Sequence, residues 1–276
     1  MKKELKYIRL VSVIIFFTLV MIVYCFAENN WIEVEHIKIE MNNLPKELNG
    51  LKIAHISDVH LSKNVSNIDN IVNKLKQEKP DIIVMTGDII DQSADLKTCG
   101  LDQLCKGLSE ITKTYAVTGN HELWNKHVDE WTNTLTENDI KVIDNKIEMY
   151  TKNNKSIAIV GLMDGNEYKP VNINDIPMIL LSHRPELFVS SYSSDLNSIN
   201  PNIVFSGHAH GGQFRIPIID KGVIAPNQGL FPKYTSGLYT NNNVKMIVSR
   251  GLGNSIIPIR INNRPHLPII ELVETK

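Results

Sequence analysis

Cysteine is scarce in this chain, which has three among 276 residues: Cys25, Cys99 and Cys105. So few cannot form the disulfide scaffold that holds together many small secreted domains. Cys99 and Cys105 could pair in an oxidising compartment. However, side chains six residues apart on one continuous helix face different ways, so pairing requires a helix that begins after Gly100. We favour two free thiols over a bond.

An excess of charge is missing as well, because 29 Lys and Arg residues oppose 30 Asp and Glu residues. This balance excludes a protein held to nucleic acid by its net charge, and the sequence has no basic run with interleaved aromatic residues. We therefore expect no nucleic acid partner and disfavour a nuclease. Internal repeats and low-complexity linkers are also absent. With 42% hydrophobic residues, the length suits one substantial α/β domain plus an N-terminal attachment segment.

The attachment segment is an uncharged run over residues 10–27, which follows a basic cytoplasmic tail at 1–9. As a helix it would be ~27 Å long, against ~30 Å for the hydrocarbon core of a bilayer, so we predict a transmembrane anchor. A signal peptide cleaved after Ala27 is the alternative. A lipoprotein is disfavoured by the bulky Tyr24 before Cys25. The anchor, the signal peptide and the lipoprotein all place the basic end in the cytoplasm and the domain outside it. The domain would be secreted if the segment is cleaved.

Residues 28–50 are interpreted as a leading strand, over 31–39, and a linker, and the main domain covers 51–274. The main domain repeats one theme: a short apolar run rich in β-branched residues ends abruptly in polar, glycine-containing sequence. Such runs, separated by helical patterns, are typical of a mostly buried sheet with covering helices. Residues 222–243 are expected to be mostly loop. The predicted strands are 52–57, 82–86, 115–118, 147–150, 156–161, 178–182, 203–206, 244–249 and 269–273, and the predicted helices are 68–79, 101–113 and 128–138.

Polar motifs follow five of the predicted strands. They are Asp58-Val59-His60, Gly87-Asp88, Gly119-Asn120-His121-Glu122, His183 and Gly207-His208-Ala209-His210. Loops at the carboxyl end of a sheet are where α/β proteins place their ligands, so we expect these residues to converge. Side chains one residue apart, such as Asp58 and His60, point to the same side of an extended segment, which suits metal ligation. Carboxylate, imidazole and amide groups without cysteine favour Mn²⁺, Fe or Zn²⁺.

Glycine precedes three of the motifs, at positions 87, 119 and 207. Without a Cβ atom, the backbone can turn sharply after the strand and bring the next side chain close to a cation. Four other histidines lack any motif context, and we expect them to be structural or exposed. These are His36, His55, His127 and His266.

Together and in this order, the motifs resemble those of the calcineurin-like metallophosphoesterases, a family that also includes the purple acid phosphatases. The resemblance covers about residues 51–273. The stretches 182–186, 207–213 and 249–253 are similar to small bacterial, membrane-associated phosphohydrolases of this family. The resemblance implies an α/β fold, a four-layer αββα sandwich of two mixed β-sheets flanked by helices, to which this chain adds an N-terminal transmembrane helix.

The resemblance also implies a ligand set for two divalent metal ions, which would be Mn²⁺, Fe²⁺/Fe³⁺ or Zn²⁺. Asp58, His60 and His210 would hold one cation, Asn120, His183 and His208 would hold the second, and Asp88 would bridge both. His121 matches a histidine beside the site that is not a ligand. The chain departs from the family at Glu122, where Asp is common, and at Ala209, where Thr is frequent. Neither is an expected ligand, so these departures put fine specificity in doubt and leave metal binding intact.

The chemistry implied is that of a dinuclear-metal phosphohydrolase. A hydroxide that bridges the cations would attack phosphorus in line, and His121, if protonated, would donate a proton to the leaving oxygen or support it electrostatically. The substrate would be a phosphodiester or a pyrophosphate or monoester, and the membrane segment makes a lipid- or envelope-linked substrate one candidate. Arg184 and Arg250 could bind substrate phosphate with bidentate geometry or form structural pairs. Asp91 could orient a ligand or cap a turn.

Two further alternatives stay open. The chain could be a non-catalytic, metal-bound scaffold on the same fold, although inactive relatives are expected to lose ligands and all seven ligand positions are filled here. Residues 230–232 with Tyr234 could form an apolar lip for a lipid substrate or pack as an ordinary loop. The sequence does not predict an oligomeric state.

Overall fold

The computed structural model describes residues 2–42, 44–63, 67–165, 173, 176–187, 201–241, 243–254 and 258–275. Its α-helices are α1 (Lys2–Asn30), α2 (Ile68–Glu78), α3 (Leu101–Ser109), α4 (Asn120–Trp124) and α5 (Val128–Glu137), with 3-10 turns at Lys46–Leu48 and His210–Gly212. Its strands are β1 (Glu33–Met41), β2 (Leu51–Ile56), β3 (Ile82–Thr86), β4 (Thr114–Val117), β5 (Ile140–Val142), β6 (Ile147–Lys152), β7 (Lys155–Leu162), β8 (Met178–Ser182), β9 (Ile203–Ser206), β10 (Arg215–Ile216), β11 (Lys221–Gly222), β12 (Ile224–Ala225), β13 (Gly229–Leu230), β14 (Gly237–Asn241), β15 (Val244–Val248) and β16 (His266–Glu274).

The first sheet has the strand order β1-β16-β2-β3-β4-β5 within the described residues. Strands β2 to β5 are parallel, β16 is antiparallel to β2, and β1 pairs in parallel with β16. Helices α2, α3 and α5 cover the outer face, where they bury Leu75, Leu104 and Trp131. Because β1 belongs to this sheet, the folded domain extends into the stretch that was predicted as a leading strand and linker.

The second sheet has the strand order β14-β15-β9-β8-β7-β6 within the described residues. Its inner face packs on the first sheet through a shared core that includes Ile53, Tyr115, Ile159 and Phe205. Two packed mixed sheets and the α/β class are therefore confirmed. In the part of the chain that the structure describes, helices cover the first sheet, and side chains such as Ala225 and Tyr234 cover the outer face of the second. Residues 188–200 lie outside the described ranges.

Most predicted elements are present, and their bounds differ from the prediction by at most four residues. Residues 222–243 were predicted to be mostly loop, and the structure adds to that prediction an edge strand, β14, which the sequence did not indicate. Its short sequence, Gly-Leu-Tyr-Thr-Asn, has too few apolar residues to show a strand pattern. Helix α3 begins at Leu101, directly after Gly100, yet Cys99 and Cys105 are both buried free thiols.

Helix α1 is long and apolar enough to cross a membrane. Its last turns contact the folded domain. The backbone N–H of Asn262 donates to the Tyr24 hydroxyl at 3.1 Å, and the N–H of Asn263 donates to the buried Glu28 carboxylate at 3.2 Å. Glu28 also pairs with the Arg264 guanidinium at 2.8 Å. Polar contacts therefore fix the end of this helix to the domain.

Candidate metal centre

The predicted site residues lie where strands of both sheets end, and all are buried. Those from the first sheet are Asp58, His60, Asp88, Asn120 and His121, and those from the second are His183, His208 and His210. Their carboxylate and imidazole atoms form overlapping groups within 4.8 Å: Asp58, His60 and His210; His60, Asp88 and His121; and Asp88, His183 and His208. The structure thus brings together side chains that are separated by up to 152 positions, counted from Asp58 to His210.

The first proposed ligand set has the spacing of a coordination sphere. His60 Nε2 lies 3.1 Å from His210 Nε2, which lies 3.4 Å from Asp58 Oδ1. Ligand atoms held ~2.0–2.2 Å from one cation in tetrahedral geometry are roughly 3.3–3.6 Å apart, and octahedral geometry brings them somewhat closer. The three side chains therefore fit a common cation without rearrangement.

The second set centres on His183. Its Nε2 lies 3.1 Å from Asn120 Oδ1, 3.1 Å from His208 Nδ1 and 3.3 Å from Asp88 Oδ2. Its other ring nitrogen, Nδ1, lies 2.7 Å from the Thr86 carbonyl and donates to it, which directs the Nε2 lone pair of a neutral ring to the centre. Asp88 Oδ2 is also 3.9 Å from His60 Nε2, so it lies between the two sets.

The backbone at these positions is not extended, contrary to the reasoning from spacing. Asp58, His60, Asp88, His208 and His210 all have positive φ, between 46° and 66°. Asp and His tolerate this left-handed region better than most residues, but each such residue still costs of order 1–3 kcal/mol. The side chains converge through tight turns, and the surrounding fold stabilises that strained geometry.

Glycine is required at two positions because the ligand carboxylates occupy the space of a side chain. A Cβ atom on Gly207 would lie 2.2 Å from Asp58 Oδ2, and one on Gly119 would lie 2.4 Å from Asp88 Oδ1. Both separations are far shorter than any ordinary contact. The predicted role of these glycines in close approach therefore has a direct steric basis.

Glu122 is a functional candidate that sequence reasoning missed. Its buried carboxylate accepts backbone N–H groups of Asp88, Ile89, Ile90 and Gly119 at 2.7–3.1 Å. Burial, aided by the nearby Asp88 carboxylate, raises the pKa of Glu122 to about 7. This side chain ties together the two turns that present Asp88 and Asn120. Only its place in the Gly-Asn-His-Glu motif signals the role, since it acts through backbone groups.

We expect Glu122→Gln to weaken metal binding by roughly 10–100-fold, because the amide NH₂ would face backbone N–H groups that need an acceptor. Chelator competition with Mn²⁺ and Zn²⁺ would measure the affinity. The matched control is Glu137→Gln, a change of the same charge at an exposed position on α5. Equal affinities for both variants would exclude a positioning role.

Asp58 is supported by a buried chain of hydrogen bonds. His55 Nε2 lies 2.8 Å from Thr86 Oγ1, which donates to Ser57 Oγ at 2.9 Å, and Ser57 Oγ donates to Asp58 Oδ2 at 2.6 Å. Burial lowers the pKa of His55 to about 3, so its ring is neutral and donates toward Thr86. His55, expected to be structural or exposed, is buried and helps to orient a proposed ligand.

His121 lies beside both sets with one ring nitrogen already engaged. Its Nδ1 accepts the backbone N–H of Gln92 at 3.0 Å, and its Nε2 lies 4.0 Å from Asp88 Oδ2. A neutral ring in this setting carries its proton on Nε2, which faces the centre. Asp91 Oδ2 is 3.4 Å from Nδ1, and its Oδ1 accepts the N–H of Ser93 at 2.9 Å. Asp91 therefore contacts His121 and no proposed ligand.

The two candidate substrate arginines both form structural pairs. Arg184 makes a bidentate pair with Asp164, with Nε to Oδ1 at 2.6 Å and Nη2 to Oδ2 at 2.8 Å. Arg250 is buried, and its Nη2 lies 2.9 Å from a Glu33 carboxylate oxygen. A substrate role for either guanidinium stays a prediction. Sequence reasoning overlooked Asn227, whose Nδ2 lies 3.3 Å from His208 Nε2.

Protonation of the centre depends on His183. Burial disfavours its charged form, but the Asp88 and Asp58 carboxylates outweigh this and raise the pKa of His183 to about 10. Burial instead lowers the pKa values of His60, His208 and His210, which are therefore neutral at pH 7. Without metal, His183 thus carries a proton that a cation must displace.

We expect metal binding near pH 7.5 to release about one proton or more, because only a neutral imidazole can be a ligand. Affinity should accordingly increase as pH rises toward the folded-state pKa of about 10. Calorimetric titration of metal-free protein in two buffers of different ionisation enthalpy would count the protons. A binding enthalpy that is the same in both buffers would contradict the protonated state of His183.

Comparisons with known proteins agree with this geometry. The sequence model described as calcineurin-like phosphoesterase matches residues 51–212, more than half of the chain. The uncharacterized metallophosphoesterase YkuE of Bacillus subtilis is 25% identical, over 91% of this chain and 88% of that protein. Phosphodiesterase YaeI of Escherichia coli is 27% identical, over 91% of each. A transmembrane protein with metallophosphoesterase domain from Danio rerio is 27% identical, over 87% of this chain and 57% of that protein. The chain belongs to the calcineurin-like phosphoesterase family of dinuclear-metal hydrolases.

Proposed function

We propose that this chain hydrolyses a phosphate ester, most simply a phosphodiester, outside the cytoplasm at the membrane that holds α1. The observation that carries the proposal is the meeting of seven donor side chains from both sheets at ligand spacing. The proposed sets are Asp58, His60 and His210 for one cation and Asn120, His183 and His208 for the other, with Asp88 shared. The donor types suit Mn²⁺, Fe²⁺/Fe³⁺ or Zn²⁺.

The charge of the donor set favours an anionic substrate. Two divalent cations bound by these residues would bring four positive charges, which would make water a better nucleophile and would interact with the phosphoryl oxygens. The proposed ligands include two carboxylates, Asp58 and Asp88, and otherwise neutral groups once His183 has lost its proton. The loaded centre would therefore keep about two positive charges, or about one once a hydroxide is counted, and this charge would stabilise the negative charge that develops on phosphate.

His121 is the residue that we propose interacts with the leaving group. Its Nδ1 is held by the Gln92 N–H, so the Nε2 proton points into the centre beside Asp88. We propose that this N–H donates to an oxygen of the substrate, at the leaving group or the phosphoryl group. The hydrogen bond at Nδ1 fixes the ring orientation before substrate arrives.

Phosphodiesterase YaeI supports the choice of a diester, since the two chains align over 91% of their lengths. The exposed apolar surface of α1 and the transmembrane relative support attachment to a membrane. The basic tail at 1–9 supports a cytoplasmic N-terminus and an outward-facing catalytic domain. We propose the division 1–9 tail, 10–27 anchor, 28–50 leading strand and linker, and 51–274 catalytic domain, with the leading strand β1 completing the first sheet of that domain.

The direct test is metal-reconstituted full-length chain assayed on bis(4-nitrophenyl) phosphate and 4-nitrophenyl phosphate. We expect hydrolysis of the diester that requires two bound cations and stops when a chelator removes them. Faster cleavage of the monoester would replace the diester preference. Absence of hydrolysis of both compounds, with two cations bound, would instead favour the non-catalytic scaffold.

A further inference from the structure

An apolar surface borders the metal centre and has no partner within the described part of the chain. We call it the apolar rim and define it by Ile218, Ile219, Leu230, Phe231, Ile259 and Ile261. Ile218 is fully exposed, and the side chains of Leu230 and Phe231 are 69% and 66% exposed. Large apolar residues clustered in this way at a surface commonly mark a binding site for a protein or a membrane.

Backbone hydrogen bonds connect the three stretches of sequence that carry the rim residues. The N–H of Arg215 donates to the Ile261 carbonyl at 3.0 Å, and the N–H of Phe231 donates to the Val223 carbonyl at 2.9 Å. The N–H of Val223 in turn donates to the Phe214 carbonyl at 2.9 Å. The turn that carries Ile218 and Ile219 connects β10 to β11 within this framework.

The rim adjoins the metal centre on two sides. Asn227, in the turn before Leu230, has its Nδ2 3.3 Å from His208 Nε2. Asn263, two residues after Ile261, donates from Nδ2 to the His210 carbonyl at 2.8 Å. A molecule that contacts the rim would therefore lie close to the segments of chain that carry His208 and His210.

The rim also adjoins α1, and it does so near the end of the uncharged run that we expect to span the bilayer. Tyr24, whose hydroxyl contacts Asn262, lies inside the uncharged run 10–27, three residues or ~4.5 Å before its end. If the run 10–27 spans a bilayer, the segment that carries Ile259 and Ile261 lies at the boundary of that bilayer. Trp31 is exposed just beyond that boundary, with the Arg264 guanidinium 5.3 Å from its ring centre, as is typical of a membrane interface.

Backbone geometry indicates that the rim side chains serve a role outside the folded chain. Ile218 and Phe231 have positive φ, 77° and 52°, where glycine or asparagine would be favoured. Neither side chain is buried, so packing within the protein does not explain its presence. Exposed Lys221 and Lys233, in the same stretches, would attract anionic lipid headgroups.

We propose that the apolar rim rests on the bilayer that α1 enters, and that the metal centre takes the phosphate ester of a membrane lipid from it. The second half of this proposal rests on the phosphoesterase function proposed above. Continuity with α1 makes the bilayer the occupant of the rim, since the helix already brings the two surfaces together. Lipid headgroups are then presented to the centre without leaving the interface.

Docking can be tested without turnover. Full-length chain carrying Cys25→Ser and Phe231→Cys is labelled with an environment-sensitive fluorophore, which is confined to position 231 because Cys99 and Cys105 are buried. The protein is placed in vesicles of phosphatidylglycerol and phosphatidylethanolamine with brominated acyl chains. We expect strong quenching at position 231 and none at Met149→Cys, an exposed position on β6. Equal quenching, or none at position 231, would overturn docking on the bilayer.

A single variant that combines Ile218→Asn, Ile219→Ser, Leu230→Ser and Phe231→Asn tests whether the rim presents substrate. Asparagine is used at 218 and 231 because both residues have positive φ. We expect roughly tenfold or greater loss of hydrolysis of phosphatidylglycerol and phosphatidic acid in vesicles, and little change with bis(4-nitrophenyl) phosphate. The matched control, Ile147→Ser with Met149→Ser, should change neither rate.

The two proposals fail in different ways. If the wild-type chain cleaves the soluble diester but neither vesicle lipid, the proposal of a lipid substrate is refuted and the proposed phosphoesterase function stands. If the wild-type chain cleaves no ester, the proposed phosphoesterase function is refuted. The quenching experiment would still show whether the rim contacts the bilayer. A rim variant that keeps full activity on vesicle lipid would refute the role of the rim in presentation.

Discussion

Asp88→Asn is expected to lower turnover by about 10³-fold and to leave one tightly bound cation in place of two. Asp88 is the carboxylate between the two proposed sets, with Oδ2 3.3 Å from His183 Nε2 and 3.9 Å from His60 Nε2. Asp88 Oδ1 accepts a hydrogen bond from the backbone N–H of His121 at 2.8 Å. The side-chain oxygen of asparagine can keep this bond, so the local turn should persist. Its amide NH₂ would replace an oxygen that the cations need. Elemental analysis of the purified protein and a diester assay measure both effects.

The control is Asp144→Asn, which also neutralises a largely enclosed carboxylate. Asp144 accepts the N–H and the hydroxyl of Thr118 at 2.9 Å and contacts none of the proposed ligands. We expect it to retain two cations and most of its turnover. If Asp88→Asn also retained two cations and most of its activity, Asp88 would not be the bridging ligand.

His121→Ala is expected to keep both cations and to lose roughly 10²–10⁴-fold in turnover with a natural ester. His121 offers its Nε2 proton to the centre while Gln92 holds its Nδ1, so the alanine variant removes a donor without removing a ligand. If the Nε2–H hydrogen bond stabilises the charge that develops on the leaving oxygen, the loss should be large for an alkyl ester and small for a nitrophenyl ester. Comparing the two esters therefore separates stabilisation of the leaving oxygen from simple positioning.

His127→Ala provides the matched control, because His127 is an exposed histidine six residues further along the chain. It should bind two cations and turn over at the wild-type rate. Loss of metal from His121→Ala would identify His121 as a ligand, and equal losses with alkyl and nitrophenyl esters would exclude a hydrogen bond from His121 to the leaving group.

The candidate metal centre could be predicted from the sequence because each motif begins where a buried strand ends. Strand ends are visible as the point where a β-branched run gives way to glycine and polar residues, as at Gly87 and Gly207. Parallel strands of one sheet bring their carboxyl ends to one edge, so Asp58, Asp88 and Asn120 had to be neighbours. The meeting of that edge with the second sheet came from family resemblance and not from spacing.

Other features were hidden because they depend on partners that are distant in sequence. Glu122 holds backbone N–H groups, which carry no residue identity, and His55 acts through two intervening hydroxyl groups. The pairing of β1 with β16 joins residues more than 200 positions apart. For Arg250, the sequence offers no way to distinguish a phosphate from the Glu33 carboxylate that the structure shows.

Each proposed cation draws ligands from both sheets, and this has a consequence for how the protein matures. His60 and His210 meet only after the two sheets have docked, as do Asn120 and His208. A fragment that contains one sheet would bind neither ion with its full set, so metal uptake should follow chain folding. Once bound, each ion would add its binding free energy to the stability of the interface between the two sheets. Loss of metal would therefore destabilise that interface.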